Sequence, residues 1–212
     1  MRTASRLALV ASLLPAALAG CGAPPAATSP SEAAITAPAP AAAPDITGRW
    51  VSDCVKVSEQ QIMKLDFTIT KDTWSLDYST FGDAECKAKF LTVHIEGPYE
   101  VSGPSTAVAG AHEAKFGFTK KTITPHLDAA AGFLGSDKGC GGTWTAGTGV
   151  DVLDKGCGGL GQYPGSACGA DFDLVQTDGT TLRFGERPKD NDMCTADRRP
   201  KALSQLVMKK QG

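Results

Sequence analysis

The chain has 212 residues, 42% of them apolar, and sets 21 Lys and Arg against 23 Asp and Glu for a formal net charge of −2. That balance excludes the basic surface that nucleic acid or an anionic membrane face would require of a partner. The length suits one folded domain large enough to bury a real core.

The chain opens on Met1-Arg2-Thr3-Ala4-Ser5-Arg6, and residues 7–19 carry no charge. An uncharged run of that length is shorter than the roughly 20 residues needed to span a hydrocarbon core. A basic start, a short apolar run and small residues before a cut make a signal peptide, expected over residues 1–20. The cut region Leu18-Ala19-Gly20-Cys21 has the form of a lipobox, in which the Cys21 thiolate takes a diacylglyceryl group. Two or more acyl chains, at about 0.8 kcal/mol per buried CH2, give a stable anchor that does not cross the membrane. Removal of residues 1–20 takes away Arg2 and Arg6 and no acid, leaving a net charge of −4.

Residues 21–44, the lipidated cysteine and a stretch rich in Ala, Pro, Thr and Ser, cannot bury a core and are expected to form a semi-extended tether. The folded domain is expected over residues 45–212. Period-2 alternation dominates it. Met63, Leu65, Phe67 and Ile69 alternate with polar neighbours, and after Lys71-Asp72 the pattern resumes at Trp74, Leu76 and Tyr78. Leu91, Val93 and Ile95, then Phe116 and Phe118, then Phe172 and Leu174 repeat it. Asp178-Gly179 is a two-residue hairpin signal. A single short helix is expected over 129–134, with Asp128 as its cap. Many short half-buried strands with Gly-rich turns make the domain mainly β: a barrel, half-barrel or sandwich.

Six cysteines remain after Cys21: Cys54, Cys86, Cys140, Cys157, Cys168 and Cys194. An even number in an exported chain implies disulfides. Cys140 and Cys157 are equidistant from Thr148-Gly149, and Cys168 and Cys194 flank the Asp178-Gly179 hairpin, so hairpins there would pair each set. Elimination joins Cys54 to Cys86.

Catalytic signals are sparse, and the chain is read as not being an enzyme. Gly103-Pro104-Ser105-Thr106-Ala107 misses a nucleophile elbow at its last position. His94, His112 and His126 have no Cys or His neighbour at zinc spacing, and no C-x-x-C occurs, so neither metal nor cofactor is expected. Cys140-Gly141-Gly142 and Cys157-Gly158-Gly159 lack the lysine and strand-to-helix setting of a phosphate loop. Asp190-Asn191-Asp192 offers calcium-type oxygens but reads better as a solvated loop. Asp171 and Asp173, two apart on one strand face, read better as a polar face than as an acid–base pair. The aromatics Trp50, Phe67, Trp74, Tyr78, Phe90, Phe116 and Phe118 fall on expected strands, where alternation alone does not separate core packing from the wall of a ligand pocket.

Several segments, taken in order, resemble one family. Gly48-Arg49-Trp50-Val51-Ser52 with Cys54 behind it, Asp72-Thr73-Trp74, and Gly82-Asp83-Ala84-Glu85-Cys86 come first. Gly110-Ala111-His112-Glu113, Thr124-Pro125 with Asp128-Ala129-Ala130, Cys140-Gly141, Trp144, Asp151 and Gly156-Cys157 follow. Leu182, Phe184, Gly185, Arg187-Pro188 and Arg199-Pro200 close the series. Their order and spacing, from Gly48 to about Val207, resemble the repeated domain of the adenomatosis polyposis coli down-regulated family, membrane-anchored extracellular inhibitors of Wnt signalling. The chain would be a single-domain bacterial lipoprotein member.

The resemblance implies a cupped antiparallel sheet or half-barrel, lipocalin-like, with one short helix and disulfide-stapled hairpins. It also implies an apolar pocket suited to an acyl chain, lined by strand residues such as Trp50, Met63, Leu65, Phe67, Trp74, Leu76, Tyr78, Phe116 and Phe118. There are departures. One residue fewer separates Ser52 from Cys54, Val55-Lys56 replaces an acidic-aliphatic-arginine run, and Leu65 falls near a family arginine. Cys168 and Cys194 look like additions, and bacteria have no Wnt. The expectation is therefore an extracytoplasmic binding protein of a bacterial envelope, lipid-anchored in the periplasm or at the surface, holding a lipid or acylated ligand. The alternative is a protein-binding or structural envelope module whose core is filled by its own side chains.

Overall fold

The computed structural model describes residues 42–58 and 61–212. The expected signal peptide, Cys21 and the tether up to residue 41 lie outside the described residues. The strands are β1 (Gly48–Ser52), β2 (Val55–Ser58), β3 (Gln61–Ile69), β4 (Thr73–Phe81), β5 (Lys89–Pro104) and β6 (His112–Gly117). They continue with β7 (Lys120–Pro125), β8 (Val150–Asp151), β9 (Ala170–Thr177), β10 (Thr181–Phe184) and β11 (Met208–Gln211). One helix, α1 (Asp128–Gly135), follows β7.

Antiparallel pairing runs β1-β3-β4-β5-β6-β9-β10-β11 and returns to β1, so eight strands close a barrel. The cupped sheet expected from the sequence is thus a closed one, and closure removes the strand edges that an open sheet would expose. A barrel of eight strands has an interior that side chains just fill, or that holds one small ligand.

The period-2 pattern converts directly into an inner face. Register places Trp50 opposite Phe67, Phe67 opposite Leu76, Leu76 opposite Ile95, and Ile95 opposite Lys121. A parallel row runs Leu65, Tyr78, Val93, Ile123. Strand β5 is long enough to serve two neighbours on one edge: β7 over its first half and β6 over its second. The exchange occurs at Gly97. A Cβ there would stand 2.1 Å from the Gly117 carbonyl oxygen, so only glycine lets the end of β6 cross so close. The same carbonyl accepts the Trp74 indole N–H at 3.0 Å, and Thr119 N–H donates to Glu96 across the junction.

The β9–β10 turn is the hairpin expected at Asp178-Gly179. Gly179 takes φ +87°, and the Asp178 carboxylate accepts the amides of Thr180 (2.8 Å) and Thr181 (2.6 Å). Those bonds, the Thr181 amide foremost, hold its carboxyl far below the usual range. Asp128 differs from expectation. Leu127 occupies the cap position, extended at φ −131° with no side-chain cap bond, and Asp128 sits inside the first turn, where an acid complements the positive end of the helix dipole.

The disulfides are Cys54–Cys86, Cys140–Cys157 and Cys168–Cys194, with Cα–Cα distances of 6.0, 4.5 and 5.0 Å. The third flanks the β9–β10 hairpin as the sequence suggested. The second arises differently: residues 141–149 contain no strand, and β8 pairs with β7 rather than folding back on a partner at Thr148-Gly149. The backbone instead brings the two cysteines together through Gly159 N–H donating to Gly139 O at 3.0 Å.

Candidate functional site

The barrel is filled at one end and hollow at the other. At the filled end Ile46, Trp50, Ile69, Val175 and Leu182 are buried, and the Trp50 indole N–H donates to the Ile46 carbonyl at 2.8 Å. At the hollow end lies a cavity of about 850 Å³, within the roughly 300–1,000 Å³ typical of small-molecule sites. Strand β3 contributes Met63, Leu65 and Phe67 to its wall but not Ile69, and β10 contributes Phe184 but not Leu182. The boundary between the two ends is aromatic. Phe67 stacks on Phe184 (centroids 4.5 Å apart), while Phe116 meets Trp74 edge-on at 5.1 Å and Phe184 at 5.7 Å. Such contacts each add about 0.5–1.5 kcal/mol beyond burial and make a rigid floor.

Eight of the nine residues expected to line a pocket meet at this cavity: Met63, Leu65, Phe67, Trp74, Leu76, Tyr78, Phe116 and Phe118. Trp50 does not. It shares the inner face with Phe67 but lies toward the filled end, beneath Lys210, whose ammonium stands 5.1 Å from its ring centroid. Val93, Ile95 and Phe184 also line the cavity. The alternation at Leu91, Val93 and Ile95 carried a signal for the first two.

One wall is charged. Asp171 and Asp173 lie on the inner face of β9, opposite Phe116 and Ala114, and are 9% and 5% exposed. The polar strand face read for this pair is thus an inward, buried one. Their neighbours Phe172 and Leu174 point outward, where the segment after β10 covers them: Phe172 N–H donates to Met193 O at 2.7 Å, and Gly185 N–H to Leu174 O at 3.1 Å. Arginines strap that segment down, Arg187 on Asp171 at 2.7 Å and Arg199 on Glu113 at 2.6 Å. Asp173 Oδ1 accepts the amides of Leu174 (2.7 Å) and Gly185 (2.9 Å). Burial nonetheless pushes its carboxyl up to about 7, against the opposing pull of Arg187 and those amides. Lys121, which sequence reasoning missed, projects into the cavity from β7. Burial lowers its ammonium pKa. Its signal was the alternation Lys121, Ile123, Pro125, with the charged residue in phase with two buried apolar ones.

The mouth is covered by residues 159–163 and by Arg187, Asn191 and Leu206. Asn191 ties two of these parts together: its side-chain amide donates to Gly161 O at 2.8 Å, and its carbonyl accepts Arg187 Nε–H at 2.6 Å. Asp190 and Asp192 pair with Arg198, so the run that resembled calcium ligands is engaged in ion pairs. Among the described residues no group of three or more His, Cys, Asp or Glu is arranged to hold a metal. Of the histidines, His94 lies on the outer face between Asp77 (2.7 Å) and Glu96 (3.2 Å). Partial burial works to lower its pKa, and the two carboxylates outweigh it and leave the pKa raised. His126 meets Thr92 at 2.9 Å, and His112 Nε2 is buried without a partner among the described residues.

Compared with known families, residues 30–150, more than half of the chain, match the family model described as adenomatosis polyposis coli down-regulated 1. The match takes in β1 through β7 and α1 and ends before β9.

Proposed function

The chain belongs to the adenomatosis polyposis coli down-regulated 1 family, and we propose that it is an extracytoplasmic binding protein whose half-hollow barrel takes the acyl chain of a lipid. A closed β-barrel with three disulfides is consistent with an extracellular binding module, since such bonds persist in oxidising compartments. The single observation that carries the acyl reading is the convergence of apolar side chains from β3, β4, β5 and β6 on one cavity above an aromatic floor. A long acyl chain buried there gains about 0.8 kcal/mol per CH2, reduced by the ordering costs of binding.

In this reading the protein binds and does not catalyse. It is held to a bacterial envelope membrane through lipid on Cys21, and its other partner is the lipid or the protein that carries it.

Leu65→Glu tests the assignment. Leu65 is mid-wall and partly exposed to the cavity, so a carboxylate there sets a charge against the acyl path while the fold survives. A fluorescent acyl probe should bind the exported wild-type chain and not the variant, with near-UV circular dichroism unchanged. Undiminished probe binding by a folded variant overturns the reading.

A further inference from the structure

The hollow end of the barrel contains a buried cation that forms no ion pair among the described residues. Lys121 is 3% exposed and ends the inward row that runs from Trp50 through Phe67, Leu76 and Ile95. Its ammonium donates to the Tyr163 carbonyl at 3.3 Å and stands 3.9 Å from the centroid of the Phe118 ring. Among the described residues it joins no ion pair.

The two acids that share the cavity lining have closer partners of their own. Asp171 is held by Arg187, and Asp173 accepts two backbone amides through Oδ1 while its burial favours the protonated form. Arg187 divides its donors between Asp171 and Asn191. An ammonium has three N–H donors, and one carbonyl uses one of them. A buried charge without an opposite partner is expensive, and desolvation lowers the Lys121 pKa accordingly, with Asp171 raising it and Arg187 lowering it further. A ligand anion that arrives with its own apolar chain would match the charge and fill the cavity in one step.

We infer that the cavity takes a free long-chain fatty acid, its alkyl chain along the Leu65–Leu76 wall and its carboxylate on the Lys121 ammonium. The inference rests on the acyl-binding reading above and adds the head group. The same cavity offers less to an ester or amide, because a neutral carbonyl accepts a hydrogen bond without balancing the charge.

The test compares palmitate, methyl palmitate and hexadecanol on the full exported chain, stripped of noncovalent lipid. The wild type should bind palmitate at least about tenfold more tightly than the two neutral ligands. Lys121→Met should erase that preference and leave methyl palmitate binding within about threefold of wild type, because methionine keeps the apolar stem. Lys121→Arg should retain the preference. A readout free of any variant uses carboxyl-labelled palmitate on the wild type: its carbon-13 resonance should remain that of the ionised form at about pH 5. Equal affinity for palmitate and methyl palmitate, or a protonated resonance at that pH, overturns the carboxylate assignment and leaves acyl binding standing. Failure of all three ligands to bind overturns both.

Discussion

The carboxyl of Asp173 gives the structure a pH dependence whose sign is unusual for an acid. In the folded chain it retains its proton up to about 7, because burial disfavours the charged form more than Arg187, Leu174 and Gly185 favour it. The unfolded chain releases that proton near the ordinary 3.8. Between those values the folded state binds the extra proton, so the contribution is full below about pH 4 and is lost as pH rises to about 7. At about 1.36 kcal/mol per unit, the interval from pH 5 to 7 carries about 3 kcal/mol. Asp173→Asn removes the titration and keeps a carbonyl oxygen for the Leu174 and Gly185 amides. Urea unfolding, followed by tryptophan fluorescence at pH 5 and pH 8, measures both proteins. The wild type should lose about 3 kcal/mol more than the variant between the two conditions. Subtracting the variant cancels His94 and the other groups common to both. Equal pH dependence in the two proteins refutes the assignment of a buried, proton-retaining carboxyl.

Two further substitutions separate fold from site. Gly97→Ala sets a methyl group against the Gly117 carbonyl at the crossing of β5 and β6, and should destabilise by about 3 kcal/mol or more, lowering Tm in a thermal melt by roughly 6–12 °C. An unchanged Tm would mean that the strands do not approach at that point. Trp50→Ala empties the filled end and should cost about 3–5 kcal/mol. Because Trp50 does not line the cavity, the acyl-probe affinity measured where the variant remains folded should match wild type, in contrast to Leu65→Glu. A matching loss of affinity would put Trp50 back at the ligand.

Alternation revealed which face of each strand points inward but not the height at which each side chain sits. Trp50 and Phe67 are direct register partners, yet one belongs to the filled end and the other to the cavity wall. That difference depends on strand stagger around a closed barrel, which no single strand encodes. Alternation failed outright on β9, where the apolar residues Phe172 and Leu174 face outward and the acids face inward. A strand's apolar phase marks whichever face is covered, and here the segment from Gly185 to Pro200 covers the outer one. The inward acids are met by Arg187 on Asp171 and by the Leu174 and Gly185 amides on Asp173. The cysteine pairing was legible although one of its reasons was not: Cys140 and Cys157 meet through a loop contact near Gly139 and Gly159, not across a hairpin. Lys121 was visible in phase with Ile123 and Pro125, and a lone charge in an apolar phase reads equally well as a surface lysine.

The hollow end of the barrel either is a lipid site or is not. Native mass spectrometry of the exported chain, with its disulfides formed, addresses that without a chosen probe. A lipid site there requires a discrete added mass beyond the covalent modifications, released by organic extraction and identified as fatty acid or another acyl lipid. A chain that carries no such mass, and takes up none when incubated with palmitate, contradicts it.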